Sequence, residues 1–199
     1  MVRVDLAQRH VVITFPEQRI EQTITDVMKA EGGDTYTNDP DDAGKETKWG
    51  ITIASARAYG YTGAMKDLPE ATARAIYRKR YVDEPRFADV FAIEPNIGAE
   101  LIDTGVNMGT AVAATFLQRW LNGFNDTGSR YGDLHVDGRI GAVTLDALRA
   151  YLRWRGPQGI TALLRGLNGV QAARYLEITE SKPSQRKYLF GWVLNRVEM

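Results

Sequence analysis

The sequence predicts a mainly α protein with a small loop or β-hairpin segment near its N-terminus and a helical lobe at its C-terminus. Apolar residues recur at intervals of three and four through much of the chain, and glycines stand at several junctions between these stretches. Residues 32–50 differ, because they are rich in Gly, Asp, Asn, Thr and Pro and show no apolar periodicity. We therefore expect one helix before this segment and a succession of helices after it.

The composition limits the chemistry that the chain can perform. Its 199 residues, 44% of them hydrophobic, can form one sizeable core or two small lobes. The 25 basic and 25 acidic residues cancel, so any polyanionic partner must be bound by a local cluster. Without cysteine, and with only His10 and His135, neither a thiolate nor a histidine-based metal site is expected. We expect no metal and no cofactor, and chemistry carried by carboxylates, hydroxyls or lysine.

The elements can be predicted in chain order. Alternating apolar and polar residues make residues 1–16 an extended N-terminal arm, and Pro16 is tolerated at the start of a helix over about residues 17–31. Thr52 can cap a short helix that Gly60 ends, and Pro69 opens the next helix. Further helices are predicted at about 96–108, 111–122, 142–154, 159–180 and 185–196.

Glu31 stands at the end of the first helix, in line with its apolar residues. These residues form a single stripe at steps of three and four: Ile20, Ile24, Val27 and Met28. Glu31 continues the stripe, and a carboxyl group held partly out of water can keep a proton for a leaving oxygen near neutral pH. Gly32 and Gly33 can end the helix and leave room for a ligand. The alternative is a last-turn residue that faces solvent, and periodicity alone does not separate the two.

The segment that follows Glu31 carries several acids and a threonine before Gly50: Asp34, Asp39, Asp41, Asp42, Glu46 and Thr47. A carboxylic acid together with a nearby acidic turn is what two-carboxylate glycoside hydrolysis requires. The alternative to a catalytic role is a purely structural one, in which these side chains form turns and cap helices. A calcium loop is not expected, because the segment lacks alternating ligands closed by a distant Glu.

Three strings of residues form a recognisable pattern. The first string is Glu31-Gly32-Gly33, Tyr36-Thr37-Asn38-Asp39-Pro40, Asp42-Ala43-Gly44-Lys45-Glu46-Thr47 and Gly50-Ile51-Thr52. The second is Asp103-Thr104-Gly105-Val106-Asn107-Met108-Gly109 and the third is Val136-Asp137-Gly138-Arg139-Ile140-Gly141 with Thr144. Together they resemble glycoside hydrolase family 108, which includes phage endolysins and bacterial muramidases. The resemblance spans about residues 20–197, and the first string is the most specific.

The resemblance implies a lysozyme-like helical fold, divided into the arm of residues 1–16, a catalytic lobe of residues 17–109 and a peptidoglycan-binding-like helical lobe of residues 110–199. It also implies an N-acetylmuramidase that hydrolyses the β-1,4 bond between N-acetylmuramic acid and N-acetylglucosamine. By motif position, Glu31 is similar to the family's catalytic glutamate, and Asp42 and Thr47 to the Asp and Thr that face it. Glu31 would protonate the glycosidic oxygen, Asp42 would stabilise positive charge or activate water, and Thr47 would orient the water or the Asp.

The sequence departs from the family pattern in the segment that carries Asp42. Asp34 and Thr35 resemble an insertion, and Lys45 stands where a second glycine is usual. The separation of Glu31 from Asp42, and with it inversion or retention, is therefore not predicted.

Five further residues are candidates for substrate contact. Asp103 and Asn107 share a helix face one turn apart, where they could line the opposite wall of a cleft or form a solvated face. Tyr36, Asn38 and Trp49 belong to the motif loop, and the two aromatic rings could stack on sugars.

Three other functions remain as alternatives. A lytic transglycosylase needs only one acid, and Asp42 with Thr47 argues against it. A non-catalytic peptidoglycan-binding module would need only the third string, but not Glu31 on an apolar stripe. A nucleic-acid-binding protein, suggested by Arg149, Arg153 and Arg155, fits poorly with the neutral charge.

The sequence also supports expectations about partners and location. The expected partner is the glycan strand of peptidoglycan, with no nucleic acid, no stable membrane insertion and a monomeric state. Because the longest early apolar run, residues 11–15, is too short for a signal peptide, we expect synthesis in a cytoplasm and action on the cell wall after release.

Overall fold

The computed structural model describes residues 3–5, 10–12, 15–38 and 45–197. Most of these residues are helical, so the predicted mainly α fold is confirmed. The chain divides into two compact units, Met1–Glu84 and Pro85–Met199. This division follows packing, whereas the predicted boundary at residue 109 follows the sequence motifs and stays a prediction.

The described residues of the first unit form three helices and two small antiparallel sheets. Its strands are β1 (Arg3–Asp5), β2 (His10–Val12), β3 (Tyr36–Asn38), β4 (Glu46–Lys48) and β5 (Ile51–Thr52). Its helices are α1 (Phe15–Ala30), α2 (Ile53–Tyr59) and α3 (Glu70–Arg78), with a 3₁₀ turn at Met65–Asp67 and a π-helical segment at Lys79–Asp83. β1 pairs with β2, and β3, β4 and β5 form a sheet in that order. The predicted strand character of the arm is thus confirmed for β1 and β2, while the rest of residues 1–14 lies outside the described residues.

Helix α1 is held against α3 by apolar burial and by two arginines. The predicted apolar stripe is confirmed, because all four of its members are at most 4% exposed: Ile20, Ile24, Val27 and Met28. At its edge, Arg78 Nη1 lies 2.7 Å from Glu17 Oε2, and Arg74 Nη1 donates to Thr25 Oγ1 over 2.9 Å. The charged contacts line one edge of a dry interface, which fixes the direction in which α1 runs.

The short helices α2 and α3 begin at the residues that the sequence predicts, and α2 also ends where predicted. The Thr52 hydroxyl accepts a hydrogen bond from the Ser55 N–H, and Gly60 ends α2 in a left-handed conformation with φ of 101°. Pro69 precedes the first residue of α3. These caps satisfy backbone groups that the helices leave unpaired.

The second unit consists of helices: α4 (Phe87–Ile93), α5 (Pro95–Met108), α6 (Thr110–Gly123), α7 (Ala142–Ser181) and α8 (Arg186–Arg196). The predicted pair of helices over 142–154 and 159–180 is confirmed as two parts of α7, which break at Gly156 with φ of 57° and ψ of −147°. The Tyr151 hydroxyl donates to the Gly159 carbonyl over 2.9 Å and ties the two parts together. None of the described helices is both long and apolar enough to cross a membrane.

Sequence reasoning missed α4. This helix has only seven residues, and it follows Arg86, whose φ of 61° is left-handed. Its buried residues, Phe87, Val90 and Phe91, nevertheless stand at steps of three and one, which is the spacing of a helix face. A window shorter than the usual helix length would have detected it.

The third sequence string forms a loop that is fixed by one buried glutamine. The Gln118 amide donates to Asp137 Oδ1 over 2.9 Å and to the Arg139 carbonyl over 3.0 Å, and its oxygen accepts from the Gly138 N–H. The bonds from Gln118 and from the Arg139 N–H hold the pKa of Asp137 below its ordinary value. Asp137, Gly138 and Arg139 of this string therefore stabilise the fold of the loop through their bonds to Gln118.

Replacing Gly138 with Ala should destabilise the second unit by about 2 kcal/mol or more. Gly138 has φ of 71°, and a Cβ there would lie 2.9 Å from the Ala111 carbonyl oxygen. The matched control is Gly169→Ala on α7, which meets no atom within 4 Å and should stabilise by about 0.5–1 kcal/mol. Urea unfolding of both variants tests this, and equal midpoints would contradict it.

The ion pair between Glu17 and Arg78 should make stability depend on pH. The hydrogen bond from Arg78 lowers the pKa of Glu17 below its ordinary value of 4.5, so the pair stabilises the fold above that value and is lost as pH falls through the lowered pKa. We expect Glu17→Gln to lower the free energy of unfolding by about 1 kcal/mol at neutral pH. This difference should vanish in strong acid, as measured by urea unfolding at several pH values. A difference that stays constant with pH would exclude a charge effect.

Candidate active site around Glu31

Glu31 follows the last residue of α1, at a sharp change of chain direction. Its N–H still donates to the Val27 carbonyl over 2.9 Å, and the Gly33 N–H returns to the Met28 carbonyl over 2.9 Å. Gly32 and Gly33 both have positive φ, 106° and 56°. The glycines therefore end the helix as predicted, and Glu31 itself is half-buried.

The stem of Glu31 packs against a turn that only glycine can occupy. A Cβ on Gly50 would lie 2.7 Å from Glu31 Cβ and 2.7 Å from the Tyr77 hydroxyl oxygen, and Gly50 has φ of 70°. The Tyr77 hydroxyl donates to the Trp49 carbonyl over 3.0 Å. Three segments distant in sequence thus meet at Glu31: the end of α1, the turn at residues 49–50 and the buried face of α3.

The predicted hairpin is confirmed, and its register separates the candidate residues. Thr47 lies in the central strand, paired with Thr37 on one side and Thr52 on the other. Tyr36 pairs with Lys48, one position along the strand. Because successive side chains of a strand point to opposite faces, Thr47 lies on the face opposite to that of Tyr36 and Asn38. A single surface of this sheet cannot present all three candidates.

The face that carries Tyr36 and Asn38 is polar and exposed. The Tyr36 hydroxyl donates to Glu46 Oε2 over 3.1 Å, across the β3–β4 pair. Partial desolvation of the phenol and this bond to a carboxylate raise the pKa of Tyr36. Lys48 on the same face bonds Asp34 Oδ1 over 2.8 Å.

Trp49 is tied into the fold through both of its polar ends. Its indole N–H donates to the Leu68 carbonyl over 3.1 Å, while its own carbonyl accepts the Tyr77 hydroxyl. Its φ of 56° is left-handed, a strained conformation for a residue with a side chain. These contacts hold the turn that places Gly50 against Glu31, a role that the sequence did not predict for Trp49 or Tyr77.

Asp42 lies outside the described residues, which skip 39–44. Its predicted role opposite Glu31 stays a prediction. Within the ranges that the structure describes, no three His, Asp or Glu side chains cluster closely enough to hold a metal ion.

Asp103 and Asn107 lie in the second unit, where they belong to a polar cluster between helices. The Asn107 amide donates to Asp103 Oδ2 over 3.3 Å, as does Gln171 of α7, and Arg196 Nη1 of α8 lies 3.2 Å from Asp103 Oδ1. One turn earlier, Glu100 accepts from Asn168 of α7 over 3.1 Å. Asp103 thus joins three helices of this unit.

Two family models match adjacent parts of the sequence. Residues 24–109 match the family described as glycosyl hydrolase 108, and residues 112–197 match a predicted peptidoglycan domain. Among solved structures, that of Brucella abortus SagA is similar with a TM-score of 0.57 and 21% identity, covering 92% of this chain and 98% of that chain. This similarity shows the fold alone. No protein of curated function matches the sequence.

Replacing Asp103 with Asn should lower the free energy of unfolding by about 1–3 kcal/mol, because one acceptor of Arg196 then loses its charge. The Arg196 side chain is only 9% exposed, so water can replace that acceptor only in part. The matched control is Asp146→Asn, which removes an exposed carboxylate paired with Arg149 on α7 and should change stability by under about 0.5 kcal/mol. Urea unfolding measures both, and an unaltered Asp103→Asn midpoint would contradict a structural role.

Proposed function

We propose that the protein is an N-acetylmuramidase, because residues 24–109 match the family described as glycosyl hydrolase 108 and residues 112–197 match a predicted peptidoglycan domain. It is a glycoside hydrolase that acts on peptidoglycan. The finer proposal is that it hydrolyses the β-1,4 bond between N-acetylmuramic acid and N-acetylglucosamine, with Glu31 as general acid. The observation that carries this proposal is the half-buried Glu31 at the end of an apolar stripe, with its stem packed on Gly50.

Glu31 is the proposed proton donor because its stem is held in place while the residue is only half-buried, so that a substrate can reach it. The stem of Glu31 packs on Gly50 directly after the last turn of α1. A Cβ on Gly32 or Gly33 would meet no atom within 4 Å, so the backbone that follows Glu31 borders open space. In the proposed reaction Glu31 transfers its proton to the glycosidic oxygen as the bond from that oxygen to the anomeric carbon breaks. Water then adds to the anomeric carbon and leaves a reducing N-acetylmuramic acid end.

The second carboxylate of the proposed mechanism is Asp42, which would stabilise the positive charge on the sugar ring or activate the water. Thr47 would orient that water or Asp42. Its place in the central strand supports this, because paired strands on both sides hold its backbone. Thr47 and Tyr36 lie on opposite faces of the sheet. In this proposal Thr47 orients the water on one face, and Tyr36 contacts the glycan on the other.

We propose unequal roles for the candidates for substrate contact. Tyr36 and Asn38 are exposed and can contact the glycan directly. Trp49 contributes chiefly by holding the turn at Gly50. Asp103 and Asn107 support the helices of the second unit rather than bind sugar, because Asp103 bonds Gln171 and Arg196 and Asn107 bonds Asp103.

The test is digestion of purified peptidoglycan by the wild type and by Glu31→Gln, followed by mass spectrometry of the released muropeptides. We expect reducing N-acetylmuramic acid ends from the wild type and a loss of about 100- to 10,000-fold in their rate of release from the variant. The matched control is Asp26→Asn, which removes an exposed carboxylate from the same helix and should leave the rate unchanged.

Each other outcome points to a different function. Anhydro ends would make the protein a lytic transglycosylase, and reducing N-acetylglucosamine ends would place the cut at the other glycosidic bond. No cleavage by the wild type would favour a non-catalytic wall-binding module. Lysis of whole cells by the purified protein would support the endolysin-type, bacteriolytic role that we infer.

A further inference from the structure

Helix α8 has two faces of different character. Its inner face carries Leu189, Trp192 and Arg196, at steps of three and four, and all three are half-buried. The ring of Trp192 stacks on Tyr175 of α7 with centroids 5.1 Å apart, and Arg196 bonds Asp103 of α5. These contacts fix which side of α8 faces the rest of its unit.

The outer face is apolar and exposed. Phe190 is 78% exposed and Leu194, four residues later on the same side, is 66% exposed. Val193, three residues after Phe190, is 42% exposed. Of the ten exposed large hydrophobic side chains in the described part of the chain, five lie between residues 176 and 194. Such a concentration in a protein surface marks an interaction site more often than isolated exposed residues do.

The segment of residues 181–197, which contains α8, is basic, and one of its cations, Arg196, is paired with Asp103. From residue 181 through residue 197 there is no acid, while four cations are present: Lys182, Arg186, Lys187 and Arg196. Glu180 and Glu198 bound the stretch. Arg186 and Lys187 are exposed and precede Phe190 by four and three residues, so they lie at the start of the same apolar face. The chain as a whole carries no net charge, so this positive charge is local.

We propose that α8 is a peripheral binding site for an anionic phospholipid surface. Phe190, Val193 and Leu194 would enter the boundary between headgroups and acyl chains, and Arg186 and Lys187 would contact lipid phosphates. A helix with basic residues beside aromatic and aliphatic ones is suited to lie in this boundary without spanning the bilayer. A second copy of the chain is a poorer occupant, because residues 181–197 contain no acid, so the same face of a second copy offers no partner of opposite charge to Arg186 and Lys187.

This site is separate from Glu31 and does not rest on the proposed function. It belongs to the last helix of the second unit, and the residues that form its outer face make no contribution to the proposed chemistry. Its consequence is that the protein can be retained at a membrane surface next to the wall while its other unit acts on glycan. The binding is expected to be reversible, since one short helix inserts only a few side chains.

The experiment is co-sedimentation of the full chain with vesicles of phosphatidylglycerol and phosphatidylcholine, compared with vesicles of phosphatidylcholine alone. We expect binding to the anionic vesicles that weakens as salt is added. The double variant Phe190→Ser, Leu194→Ser should lose at least about tenfold in affinity, because two apolar side chains no longer leave water. The double variant Arg186→Gln, Lys187→Gln should lose about 30-fold.

The matched control is Val143→Ser, which removes an equally exposed apolar side chain, 72% exposed, at the start of α7 and should bind as the wild type does. Far-ultraviolet circular dichroism checks that each variant is folded, which is expected because the changed side chains are exposed. Three results would overturn the proposal: no binding of the wild type, equal binding to neutral vesicles, or undiminished binding of the serine double variant. A lipid-free dimer that the serine variant abolishes, seen by sedimentation velocity, would also overturn it by giving the face to a second copy.

Discussion

The position of Glu31 depends on the packing of α1 against α3. Apolar side chains on one side of α1 are almost completely removed from water, and Arg74 and Arg78 bind acidic and hydroxyl groups along its edge. A helix fixed in this way places the residue after its last turn within narrow limits. Tyr77 of α3 then touches the turn that packs on Glu31, so one interface sets both the carboxyl group and its neighbour.

Buried polar side chains organise the second unit in a similar way. Gln118 is 1% exposed and bonds three positions of one loop, and Asp103 joins α5 to α7 and α8. Such groups are stable inside a protein only when their hydrogen bonds are made, so they accept few alternative arrangements. The motif residues Asp103 and Asp137 thus help to hold the helices and the loop of this unit together.

Local patterns predicted the helices other than the seven-residue α4 and allowed for the hairpin, because periodicity and capping act over a few residues. They did not predict that the side chains of Thr47 and Tyr36 lie on opposite faces of the sheet, because the face of each side chain depends on which residues pair across the strands. The cluster at Asp103 was also beyond them, because its partners Gln171 and Arg196 stand 68 and 93 residues away. Whether Asp103 also contacts substrate stays a prediction. The half-burial of Glu31 could be predicted, because it follows from the periodicity of its own helix, while its catalytic role stays a prediction.

The long reach of the Asp103 contacts affects the order in which the chain can fold during translation. The partners of α1 are present once the ribosome has completed α3, so the first unit can form while synthesis continues. The contact between Asp103 and Arg196 can form only after a further 93 residues have been synthesised. Until then the Asp103 carboxylate is hydrated, and α8 is not yet joined to α5. The nascent second unit therefore stays open to proteases and chaperones until nearly all of its sequence has left the exit tunnel.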